Sequence, residues 1–198
     1  MRNSQVVLAA ACGALLAAGA CISRVKTSPQ ADVAGAALDR SELAEATIAH
    51  WSNDSALIAK RLMEEYGVPD EVHADRLLWI NNSPWRRTVV RNERGIAETG
   101  VERDVVEQAV DYPLTPQQAV DVAAIDGRVV FNPRSGQLSS RAGKEEYNYL
   151  RLNLADDVIH GRMRPEEARN SYSRLVSFEQ AGKTSPYMLG LRFTPGAP

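Results

Sequence analysis

The sequence predicts an α+β fold in which several helices pack on a small, mainly antiparallel sheet built from two hairpins and a C-terminal strand. Segments of helical and of strand period come in blocks (helices, hairpin, helices, hairpin, helices, strand), where a parallel α/β chain would alternate them singly. Two clusters of turn formers, Asn81-Asn82-Ser83-Pro84 and Asn132-Pro133-Arg134-Ser135-Gly136, each separate short runs rich in branched residues. Neither an internal repeat nor a low-complexity block interrupts the pattern.

The first helix is expected from Ser41, whose hydroxyl can cap the Ala-rich run SELAEATIAHW. A second follows over SALIAKRLMEEY, capped by Asn53 or Asp54 and stopped by Gly67-Val68-Pro69. At 100° per residue Ile58, Ala59, Leu62, Met63 and Tyr66 share one broad face of it. The period then changes. RLLWI at 76–80 and RRTVVR at 86–91 form a hairpin, with Thr88 and Val90 on one face and Arg87, Val89 and Arg91 on a half-exposed other. Trp79 and Trp85 flank the turn and are expected to seal a sheet end.

Helical period returns in VERDVVEQAVDY, 101–112, where Val101, Val105, Val106, Ala109 and Tyr112 fall on one side. The sharpest local signature comes next. Thr115 stands at an N-cap position, Pro116 at the first helical position and Gln118 three after the cap, so a helix runs from 116 to about 124. Asp126-Gly127 turns the chain into RVVFN, and the second turn cluster leads on to QLSS. Two helices follow, over 144–161 with Gly161 as its stop, and over MRPEEARNSYSRLVSF with Pro165 in its first turn. The run YMLGLRF, 187–193, reads as the last strand, and 194–198 as a frayed tail.

Composition narrows the function classes. The 198 residues hold 23 Lys plus Arg against 25 Asp plus Glu, a mild balance that gives no support to a nucleic-acid partner. With three Phe and three Trp, the core must come mostly from Leu, Val, Ile and Ala. The first residues, MRNSQVVLAAACGALLAAGAC, carry one Arg and then an uncharged run from Val6 to Ala20, shorter than a comfortable bilayer span and crowded with small residues at its end. Residues 1–20 are read as a signal peptide, 21–40 as an N-terminal tether and 41–193 as one domain. Ala18-Gly19-Ala20 suits ordinary signal cleavage; the same residues followed by Cys21 also resemble the lipobox of bacterial lipoproteins. The other cysteine, Cys12, lies within the discarded run, so the mature chain has no pair to form a disulfide.

The lipoprotein resemblance covers the leader alone. It implies that Cys21 is acylated and anchors the chain to the membrane. Because Ile22 and not Asp follows, its similarity to proteobacterial lipoproteins implies sorting to the outer membrane, facing the periplasm. A plain secreted periplasmic protein is the alternative. The expected partners are then the membrane, through the acyl anchor, and an envelope protein or peptidoglycan.

Catalytic signatures are not apparent: there is no Gly-x-Ser-x-Gly elbow, no His-Glu-x-x-His and no glycine-rich phosphate turn, and no cofactor is expected. The three histidines are scattered, His50 with Asp54, His73 between Asp70 and Asp75, and His160 one turn after Asp156, so no segment supplies three metal ligands. On the 144–161 helical wheel Asp156, His160, Asn153 and Tyr149 fall opposite the apolar arc, which makes His160–Asp156 a pair facing solvent or an open groove. Arg151 and Asn148 fall inside that arc. A guanidinium there requires a carboxylate partner, with Glu167 or Asp126 the nearest guesses, or a ligand in a pocket. Arg86, Arg87, Arg91 and Arg94 cluster beside Trp85; they read as a charge-protected sheet edge, or as a contact for lipid phosphates, peptidoglycan carboxylates or an acidic partner. The function expected is therefore a non-enzymatic envelope lipoprotein acting as an accessory or binding module. The competing class is a membrane-tethered periplasmic hydrolase acting on an envelope substrate, with His73 or His160 set against carboxylates.

Overall fold

The computed structural model describes residues 40–93 and 103–196. The expectations for the leader, Cys21 and nearly all of the tether lie outside these residues. Among the described residues five helices, α1 (40–48), α2 (Asn53–Tyr66), α3 (Pro116–Ala123), α4 (Glu145–Ile159) and α5 (Pro165–Gln180), accompany six strands, β1 (Glu71–His73), β2 (Arg76–Ile80), β3 (Arg87–Arg91), β4 (Val106–Asp111), β5 (Val129–Asn132) and β6 (Gln137–Ala142). The strands form one open antiparallel sheet in the order β1-β2-β3-β4-β6-β5. This is the α+β class that the blocks of period predict.

Local chemistry sets the ends of the elements. Ser52, one residue before the expected cap, starts α2 by accepting a bond from the Ser55 amide, and Gly67 closes it at a φ of 77°. Thr115 and Gln118 make the reciprocal box that opens α3. Both expected hairpins form, β2–β3 and β5–β6.

Two expectations are corrected. The 101–112 segment is not a helix: its described part carries the central strand β4, between β3 and β6. Val105, Val106, Ala109 and Tyr112 meet a helical period by accident, while along the strand the buried Val106, Gln108 and Val110 alternate with Glu107, Ala109 and Asp111. The 187–193 run is not a strand either. Pro186–Met188 forms one 3-10 turn, capped by the Ser185 hydroxyl, and Gly190 has a φ of 154°; the chain is held instead by side chains from α4.

Register assigns every strand residue to a face. One face carries Leu77, Trp79, Thr88, Val90, Val106, Gln108, Val110, Leu138, Ser140, Ala142, Val129 and Phe131. Ala44, Ile48, Ala59 and Leu62 from α1 and α2 join Leu77, Trp79, Val90 and Val106 in one apolar cluster. Leu150, Leu154 and Val158 of α4 join Val110, Val129, Leu138, Val122 and Ala168 in the other. Every strand residue in the two clusters lies on this face. The opposite face, with Leu78, Ile80, Arg87, Val89, Arg91, Glu107, Ala109, Ser139 and Arg141, enters neither cluster, and we call it the open face.

Candidate functional site

Helix α4 is the structural centre, and it holds most of the polar residues singled out from the sequence. Twelve of its fifteen residues are buried, because the sheet covers one side and α5, α3 and the 3-10 turn cover the rest. A helix enclosed on all sides must partner every polar side chain it carries. Most of α4's buried polar side chains have internal partners.

At its first turn Glu145 is buried and its Oε1 accepts three bonds, from Tyr66 Oη (2.6 Å), Trp85 Nε1 (2.6 Å) and Gln108 Nε2 (2.5 Å). The Tyr66 hydroxyl is pushed well above its ordinary range, first by burial and then by its bond to this carboxylate. Asn148, one turn on, donates to the Gln108 side chain at 3.0 Å and to the Val106 carbonyl. Thr88, Gln108 and Ser140 occupy one cross-strand row on the covered face, so a polar seam under α4 meets Glu145 and Asn148. This seam was hidden in the sequence because Gln108 was assigned to a helix.

Arg151 points inward, as its position in the apolar arc requires. Its Nε donates to Asp126 at 3.3 Å, its Nη1 to the Arg141 carbonyl at 2.9 Å, and its guanidinium lies 4.1 Å from the centre of the Tyr172 ring. Asp126, one of the two guessed partners, supplies the carboxylate; Glu167 instead bonds Arg164 at the start of α5. Asn153 holds the C-terminal segment through the Tyr187 and Gly190 carbonyls and the Arg192 amide.

The pair Asp156–His160 needs correction. His160 is half-exposed, but Asp156 is buried, accepts from Tyr112 Oη at 2.5 Å and is bound by Arg162, so the carboxylate does not face solvent. The same Arg162 bonds Asp157, which also accepts from Tyr187 Oη at 2.6 Å. The wheel failed here because it assumed a solvent side that α4 does not have. Burial and the Asp156 bond hold the Tyr112 phenol well above its usual range. His73 lies apart from all of this, on the open face of β1, with Glu71 as its partner at 2.9 Å. Among the described residues no group of three or more His, Cys, Asp or Glu is placed to hold a metal ion.

Two concave features stand out among the described residues. A groove of about 780 Å³ runs between α1 and α2, lined among others by Ile48, Trp51, Ala56, Lys60, Met63 and Glu64. The second is a hollow of about 210 Å³ on the open face, over β3, β4, β6 and β5. Its surroundings correct the reading of the arginine cluster: β3 is an interior strand, not an edge. Glu107 bridges Arg87 (2.6 Å) and Arg91 (3.3 Å), and Arg86 lies 3.6 Å from Asp111, while Arg94 lies outside the described residues. No family model matches the chain, and no match is found among curated proteins or solved structures.

Proposed function

We propose that this chain is a non-enzymatic accessory or binding module of the cell envelope, tethered to the outer membrane by acylated Cys21 and facing the periplasm. The tether rests on the leader pattern. The observation that carries the binding role is the contrast within the sheet: buried titratable side chains of α4 such as Glu145, Arg151 and Asp156 are bonded to neighbouring elements, whereas the open face presents arginines, amides and a hydroxyl around a hollow. The hydrolase reading draws its support from His160 beside Asp156. That carboxylate already serves Tyr112 and Arg162, and neither concave feature borders it.

Fractionation tests the tether. The full-length protein should take up labelled palmitate and pellet with membranes, and Cys21→Ser should do neither while its circular dichroism is unchanged. A Cys21→Ser protein that stays in the pellet through a salt wash overturns the anchor. Incubating the full chain carrying Cys21→Ser, which lacks the anchor, with isolated envelope fractions tests the rest: stoichiometric cosedimentation is expected, and soluble products that accumulate beyond one equivalent would establish the hydrolase instead.

A further inference from the structure

Register alone explains the hollow. On the open face one cross-strand row reads Arg87, Ala109, Ser139, Val130, so two small residues stand side by side on β4 and β6. The row on one side carries Glu107 and Arg141, and the row on the other carries Gln137 and Asn132. Long side chains therefore wall a depression whose base is Ala109 and Ser139.

Its chemistry is biased toward donors. Both oxygens of Glu107 are taken, by Arg87 and Arg91, and the carboxylate is only 13% exposed. Asp111, at the far end, is met by Gln137 at 3.3 Å and by Arg86. Arg141 stands opposite Glu107 yet makes no ion pair among the described residues, and Arg91 Nη1 is buried with no hydrogen-bond partner there. The Asn132 oxygen is used by the Arg134 and Ser135 amides, which leaves its amide nitrogen as the group able to donate. The backbone of Arg141 is held from behind, its carbonyl accepting from Arg151. Two guanidinium groups thus hold one carboxylate and a third, that of Arg141, stands on the strand position opposite it, with amide and hydroxyl groups beside them.

We propose that this hollow binds the carboxylate end of a peptide, with Arg141 and Arg87 receiving the carboxylate and Asn132, Gln137 and Ser139 facing the last amide. A planar fork of N–H groups matches a carboxylate through two parallel bonds. Size selects a terminus over a whole metabolite, since 210 Å³ lies below the ~300–1,000 Å³ of pockets that enclose small molecules. The proposal deepens the binding-module reading and rests on it.

The test titrates the 15N-labelled full chain carrying Cys21→Ser with three probes: N-acetyl-Ala-Ala, the same dipeptide with its carboxylate amidated, and inorganic phosphate. The free acid should shift the resonances of Gln137, Ser139 and Arg141 saturably, and the amide should bind at least about tenfold more weakly. Arg141→Gln should weaken the acid by a similar factor, while Arg134→Gln in the nearby turn should leave it unchanged. Ser139→Leu fills the hollow and keeps every charge, so it should also abolish binding. Acid and amide binding alike, phosphate binding as tightly as the acid, or binding that survives Ser139→Leu would each overturn the proposal. If the probes fail while the Cys21→Ser chain still cosediments with envelope fractions, the peptide-carboxylate site falls and the module reading stands. Turnover in the envelope assay, with the acid bound here, would remove the module reading alone.

Discussion

The two faces of the sheet handle charge in opposite ways. On the covered face Glu145 is buried and bonded to three neutral donors, and Arg151, 3% exposed, is bonded to Asp126, to a backbone carbonyl and to a ring. On the open face Glu107 sits among arginines that are each more than a third exposed. Burial limits the access of water to the first face, so a lost side chain leaves its neighbours short of partners; on the second, water can take the vacated place. Polar groups under α4 therefore specify the packing, and those on the open face keep access to solvent.

Glu145 gives the largest expected effect. Glu145→Ala removes the acceptor shared by Tyr66, Trp85 and Gln108 and leaves Trp85 Nε1 and Gln108 Nε2 only their longer contacts, to Tyr66 Oη at 3.2 Å and Thr88 Oγ1 at 3.5 Å; urea denaturation should show a loss of about 2–4 kcal/mol. Because all three bonds converge on one oxygen, Glu145→Gln can keep the geometry and lose only the charge assistance, for about 1–2 kcal/mol. Equal losses in both variants would mean that the carboxylate charge, not the hydrogen-bond count, organises the seam.

A pH experiment sharpens the same contrast. Tyr66, Tyr112 and Tyr149 are all raised by burial, and Tyr187 by its bond to Asp157, so in the folded chain they keep their protons where unfolded tyrosines lose them. Above pH 10 the unfolded state binds fewer protons, so stability is fully present below that pH and falls as pH rises. Each such tyrosine removes up to about 1.4 kcal/mol per pH unit. Absorbance at 295 nm should show these phenols ionising together with unfolding. Four tyrosinates appearing at pH 10 in a folded protein would show that the covered face is wet.

What could be read from the sequence follows the same division. Turn formers, the Thr115–Gln118 box and the Gly67 stop are decided by residues a few positions apart, and these elements form where expected. Features that depend on what lies on each side of an element were hidden. Arg151 was legible as an inward charge, but Asp156 was read as exposed because nothing in the 144–161 segment reveals that α5 and the 3-10 turn close over its back. The open-face hollow was out of reach while residues 107–109 were assigned to a helix, since it exists only when Ala109 and Ser139 become cross-strand neighbours. The alternation of Val106, Gln108 and Val110 was the available signal. A three-residue strand such as β1 carries too few residues to show any period.

The finest comparison uses two arginines joined through one carbonyl. Arg151 Nη1 donates to the backbone oxygen of Arg141, whose own side chain leaves on the other face, so the same substitution can be made on both sides of one peptide group. Arg151→Ala removes a buried stem, its contact with Tyr172 and the donor to that carbonyl. Asp126 is 28% exposed and can rehydrate, which keeps the expected loss to about 2–3 kcal/mol, below that of a pair closed on both sides. Arg151→Met restores apolar volume and should recover part of it. Arg141→Ala removes no ion pair and uncovers surface already half-exposed, so its stability should stay within about 0.5 kcal/mol of the parent. If Arg141→Ala costs as much as Arg151→Ala, the open face is not open in solution: something packs on it and uses Arg141 as a structural contact. If both changes are small, the guanidinium of Arg151 is held by solvent and not by Asp126, and α4 is less enclosed than its neighbours imply.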